Sequence, residues 1–197
     1  MVSSEERFEL AIRKFDEANG QDPKKVILEG KEWASEVLYA ERMTSCLLSF
    51  HPAASEALQL ATRCQHICRW EVPRSTYPEG KKGYYAWRNY LKTFHGEKAA
   101  FILKEVGYDD ALIVQVQELL TKKHLRRDAD TQCLEDVICL VFLTYYLEEF
   151  SQKHEEEKLI DILQKTWRKM SDKGHIYALQ LDFPPKLSQL VSKAVSN

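Results

Sequence analysis

VICLVFLTYYL, residues 137–147, is apolar on nearly every side of a helix. A helix at the surface of a globular protein carries one apolar stripe, whereas one that is apolar all round belongs at the centre. This run therefore predicts the central, most buried helix of an all-α domain. Working outward, residues 109–122 and 85–106 read as helices, the first opened by Asp109 and the second closed by Gly107. Beyond the central run, residues 158–170 and 185–195 are amphipathic and are expected to cover it. Nearer the start, residues 5–19 form a helix with Phe8, Ile12 and Phe15 on one side, stopped at Asn19-Gly20. Asp22-Pro23 reads as a cap and first position for a long helix toward Phe50, and a further helix is expected from Ala53 to about Trp70. The stretch VPRSTYPEGKKGYY, residues 72–85, is left as the one long loop.

Composition agrees with this plan. With 197 residues, 44% of them hydrophobic, and only seven glycines, the chain suits one compact helical domain with a sizeable core and no sheet. The expected division is a core at about residues 36–150, with the N-terminal helix and the C-terminal helices of 156–195 packed on it. A net charge of −2, with both signs interspersed, offers no overall pull toward double-stranded nucleic acid or an acidic membrane. The opening MVSSEERFEL lacks the apolar centre of a secretory signal, and no apolar run reaches the ~18 residues of a membrane span. An intracellular, cytoplasmic setting is expected. Cys46, Cys64, Cys68, Cys133 and Cys139 sit in apolar helical patterns, as reduced core thiols do.

Three places put ionisable groups where a plain helix would not. His95 shares the stripe Leu91, Ala99, Ile102 and Val106, so its ring should face the core. Asp136 has Cys139, Leu140 and Leu143 as helical neighbours, and Glu135 lies beside it. A buried carboxylate needs a partner, a hydrogen-bond donor or a cation. His66 stands in RCQHICRWEVPR with Arg69 nearby. The plainer alternatives are core histidines bonded to backbone carbonyls and a charge pair at a helix N-terminus.

Between His66 and His95 the chain concentrates Arg69, Arg74, Arg88 and Lys92 with Trp70, Tyr77, Tyr84 and Trp87, and Glu71 lies among them. Guanidinium forks bind phosphate bidentately, and aromatic faces stack on rings. A phosphorylated small molecule fits both. The alternative is a loop pinned to the body by arginine–carboxylate pairs, with Glu71 as one acceptor and the tryptophans as packing.

The order of these motifs resembles the HD-type helical proteins, whose His and Asp side chains converge on one or two metals. YAERMT resembles the helix of the first His, with Tyr39 in its place, and LATRCQHICRW resembles the one ending in the His-Asp pair, with Gln65 and His66 there. FHGEKAAFILKEVG looks like the segment bearing a further His, here His95, LLTKKH offers His124, and LEDVICLVFL looks like that bearing the last Asp, here Asp136. The resemblance implies an HD-like core with a metal site at His66, His95 and Asp136. One zinc, iron or manganese ion, or none, follows from this ligand set, because Tyr39 and Gln65 are poor ligands. Separately, RCQHICRWEVPR, YPEGKKGYYAWRNYLKTFH, LEDVICLVFL and KTWRKM are similar to the family called domain of unknown function 4202.

The function expected from these residues is metal-assisted hydrolysis of a phosphorylated small molecule or nucleotide. Glu135 and His66 are its catalytic candidates, and Arg69, Glu71, Arg74, Tyr84, Trp87, Arg88 and Lys92 its substrate-binding ones. An HD-type iron-dependent oxidase and a metal-free module binding an anion or a protein partner are the alternatives.

Overall fold

In a computed structural model, which describes residues 3–195, the all-round apolar run folds as part of α6, Ala129–Tyr145. Asp128 caps it by accepting the Thr131 backbone N–H at 2.7 Å, and ten of its seventeen residues are buried. Around it lie α1 (Ser4–Gly20), α2 (Ser35–Phe50), α3 (Glu56–Arg63), α4 (Gly80–Glu105) and α5 (Asp110–Thr121). Phe15, Met43, Leu47, Leu58, Leu103, Val116 and Leu140 from these helices are fully buried together. The chain then adds α7 (Leu147–Ser151), α8 (Glu156–Trp167), α9 (Asp172–Ala178) and α10 (Pro185–Val195). The class is all-α. None of the described helices is long and apolar enough to cross a membrane, and all five cysteines are free, four of them buried.

Three local expectations are corrected. The long helix from Asp22 is instead a hairpin, β1 (Lys25–Leu28) paired antiparallel with β2 (Lys31–Ala34), followed by α2. Glu29 and Gly30 both hold positive φ, 51° and 75°, as a two-residue turn of the primed type requires. Asp22 still caps α2, but across the hairpin: its carboxylate accepts the backbone N–H of Lys24 at 2.8 Å and of Glu36 at 3.1 Å.

Second, α3 stops at Arg63 rather than near Trp70. The chain turns through Cys68, whose φ is 52°, and the Asn19 side chain accepts the Cys68 N–H at 2.9 Å. His66 therefore lies in a turn, not on a helix. Two short 3₁₀ turns follow, at Arg69–Glu71 and Arg74–Thr76. Third, α4 begins at Gly80, so the expected long loop is shorter. Gly83 permits this close return, since a Cβ there would sit 1.9 Å from the Pro78 carbonyl oxygen.

Candidate functional site

The break after α3 turns His66 toward α2 and α4. Its ring stacks on Tyr39 of α2 with centroids 4.1 Å apart, and lies 5.9 Å from the His95 ring. The Tyr39 hydroxyl donates to Gln65 Oε1 at 2.8 Å. Arg69 Nη1 lies 2.8 Å from His66 Nε2. A guanidinium only donates, so Nε2 is the acceptor and the proton of the neutral ring sits on Nδ1. Nδ1 in turn faces Glu36 Oε2 at 3.6 Å. His95 is 4% exposed, and its Nδ1 lies 2.8 Å from the Ile67 carbonyl oxygen.

Electrostatics keep both rings neutral. Burial first, then Arg69, Arg88 and Lys122, holds His66 well below the ordinary imidazole range. Burial and then His66 push His95 down to about 3. Glu36 is raised by burial, against the opposing pull of Arg69. Tyr39 is raised by burial too, so it stays a phenol.

Two of the expected clamps act on this pair, Arg69 on both rings and Arg88 on His66. The Arg69 guanidinium lies 4.7 Å from the Trp87 ring centroid, and the Trp87 indole N–H donates to the Val72 carbonyl at 2.9 Å. Arg88 on α4 donates to the Tyr84 hydroxyl at 3.3 Å. Among the described residues neither guanidinium has an ion-pair partner; Glu36 acts on Arg69 from beyond that distance. Burial accordingly lowers Arg69. Lys92, half-buried, lies one turn beyond Arg88 on α4.

Other candidates are placed elsewhere. Asp136, 2% exposed, accepts the Ser171 N–H at 2.8 Å, the Ser171 hydroxyl at 2.5 Å and the Gln132 amide at 3.2 Å. It holds the start of α9, which Ser171 caps. Glu135 forms a buried ion pair with Lys122, with Lys169 at 3.8 Å; burial raises its carboxyl, and the two lysines overcome that and hold it low. Glu71 pairs with Lys98 at 2.8 Å. Arg74 pins its own loop through the backbone carbonyls of Tyr77, Pro78 and Gly80 rather than through the carboxylate pairs weighed as the alternative. His124 faces Glu118 at 3.7 Å.

The metal set implied by the HD resemblance does not fit these side chains. Asp136 is taken up by Ser171. The Arg69 guanidinium occupies the His66 nitrogen that a metal would need. Tyr39 is a protonated donor to Gln65. Among the described residues no three His, Cys, Asp or Glu side chains stand so as to hold an ion. A further cation beside Arg69, Arg88 and Lys122 would also meet their repulsion.

Glu36, Tyr146 and Lys122 belong to the site but carry no motif. Tyr146 tilts against Tyr39 with centroids 6.0 Å apart, under the Arg42 guanidinium. Glu36 was detectable only as an acid three residues before Tyr39, on the same face of α2.

Comparison with curated proteins and with solved structures finds no match to the chain. One family model does match, over residues 9–191. That span takes in every residue of the site, and the chain belongs to the family described as Domain of unknown function (DUF4202).

Proposed function

We propose that this chain binds a phosphorylated small molecule by its anionic group, where Arg69 and Arg88 face His66 and His95, with no metal ion in the site. The observation that carries this reading is the Arg69 guanidinium, without an ion-pair partner among the described residues, held against the neutral His66 ring and its neighbour His95, with Arg88 adding positive potential at His66. Holding an unpaired cation in a partly buried place is unfavourable, and a bound oxyanion offsets it with charge-assisted hydrogen bonds. Tyr84, 40% exposed, supplies flat apolar surface for the rest of the ligand, and buried Trp87 backs the Arg69 guanidinium. In this reading the scaffold is HD-like: Tyr39, Gln65-His66 and His95 keep the chain order of that resemblance, and Arg69 takes the place of the ion. The oxidase alternative needs the same metal and loses its support with it.

Hydrolysis is the second reading, favoured by the Glu36–His66 contact. Glu36 faces the protonated Nδ1, which directs the Nε2 lone pair toward Arg69, where the anion would sit. An arriving phosphate that draws the Arg69 guanidinium off Nε2 frees that lone pair, counters the charges that depress His66 and makes it a better general base for water. Calorimetry of chelator-treated protein against inorganic phosphate and a panel of phosphorylated metabolites tests both readings. Binding that Arg69→Met or Arg88→Met weakens by about tenfold or more is expected. Binding that appears only after a divalent metal is added would refute the metal-free site, and released phosphate that His66→Gln abolishes would establish hydrolysis.

A further inference from the structure

The two ring nitrogens of His95 are not equivalent. Nδ1 lies 2.8 Å from the Ile67 carbonyl oxygen, which only accepts, so Nδ1 carries the proton. Nε2 then holds a lone pair, and it is buried with no hydrogen-bond partner among the described residues. The ionisable groups that act on His95 are His66, Arg69 and Glu36. None of them meets the lone pair: Arg69 donates to His66 Nε2, and His66 Nδ1 faces Glu36. A buried acceptor left without a donor is unfavourable, so whatever fills this place should bring an O–H or N–H. The Arg69 guanidinium beside it calls for negative charge at the same time.

We propose that His95 Nε2 accepts a hydrogen bond from the P–OH of the bound phosphoryl group, so that the site selects a protonated phosphate over a fully ionised oxyanion of similar size. This rests on the anion-binding reading above and sharpens it. Inorganic phosphate retains an O–H at neutral pH and sulfate has none. With sulfate, an oxygen lone pair would face the Nε2 lone pair, and the acceptor would stay unsatisfied. A site built around one hydrogen bond to a ligand group discriminates strongly against the analogue lacking it.

The test is a titration of the full chain with inorganic phosphate and with sulfate at matched ionic strength near pH 6.5. Calorimetry gives the affinities, and the ¹⁵N resonance of His95 Nε2 gives the contact. Phosphate should bind at least about tenfold tighter than sulfate, and should move the Nε2 resonance where sulfate does not. His95→Asn keeps an amide N–H for the Ile67 carbonyl and places nothing at Nε2. It should abolish the preference, bringing the phosphate and sulfate affinities to within about twofold of each other. Equal binding of the two anions to the unaltered protein overturns the inference and leaves the anion site standing, as a water molecule bridging to Nε2 would produce. A preference that survives in His95→Asn also overturns it. If neither anion binds, the anion-binding reading falls and this inference with it. The resonance in the unaltered protein decides the matter even where the variant does not fold.

Discussion

His66 and His95 are neutral in the folded chain, and an imidazole in an unfolded chain titrates near 6.5. Below pH 6.5 the unfolded chain takes up protons that the folded one refuses, so the native state loses stability as the solution is acidified. For His95 that loss runs from about 6.5 down to about 3, and above 6.5 its contribution is complete. Glu36 works in the opposite sense, since its raised carboxyl keeps a proton in the folded state that the unfolded chain has released. Each buried imidazole contributes a limiting slope of about 1.4 kcal/mol per pH unit. Urea unfolding followed from pH 6.5 to 5 should show this fall, and His95→Asn should flatten it by roughly half. An unaltered slope in that variant would mean that His95 is not held neutral. The inward face of His95 was legible because helical spacing alone places it with Leu91 and Ala99. The burial of Asp136 was legible too, yet its partner was not: Ser171 lies 35 residues on, beyond any local pattern.

Elements with strong periods and caps were legible from the chain: α1 with its stripe of Phe8, Ile12 and Phe15, α5 with Asp109, and α6. The hairpin was not, because its turn is Glu29-Gly30 rather than the Asn-Gly that announces such turns. The end of α3 was hidden for another reason, since Asn19 on the distant α1 accepts the Cys68 backbone N–H and holds the turn that follows. Helix α9 has seven residues, too few to show a period, and it is held through Asp136. That anchor makes Gly174 decisive. A Cβ there would lie 2.8 Å from Asp136 Oδ1 and 2.9 Å from its Cγ, while Ser171 and Gln132 hold the carboxylate in place. Gly174→Ala should therefore destabilise the fold by about 1–3 kcal/mol, measured by thermal or urea unfolding. Since α9 carries none of Arg69, Arg88, His66 or His95, anion binding by the folded fraction should be unchanged. A loss under about 0.5 kcal/mol would show that α9 slides freely on α6.

Across the whole molecule, Arg63 and Arg69 stand only six positions apart and play opposite parts. Arg63 is 4% exposed and closes a network: it donates to both oxygens of Asp16, to Glu41 and to Thr44, and so ties α1, α2 and α3 together. Arg69 has a neutral imidazole and the face of Trp87, and no carboxylate. A buried charge whose partners are all in place supports the fold, and removing it strands them; a buried charge without an acid burdens the fold. Arg63→Met should thus destabilise by about 2–3 kcal/mol, toward the lower end for a broken buried pair because Asp16 and Glu41 regain water. Arg69→Met should instead stabilise, by up to about 1 kcal/mol, since relief of an uncompensated charge is offset in part by the His66 Nε2 lone pair left without its donor. Urea unfolding of the two variants, with and without inorganic phosphate, separates them by sign. Phosphate should raise the midpoint of the unaltered protein and of the folded Arg63→Met variant, and leave Arg69→Met unmoved. A destabilised Arg69→Met that still responds to phosphate would make Arg69 a structural residue. The opposite pattern, stability gained as binding is lost, marks a charge retained for its ligand, the role that the concentration of arginines and aromatic residues between His66 and His95 suggests for Arg69.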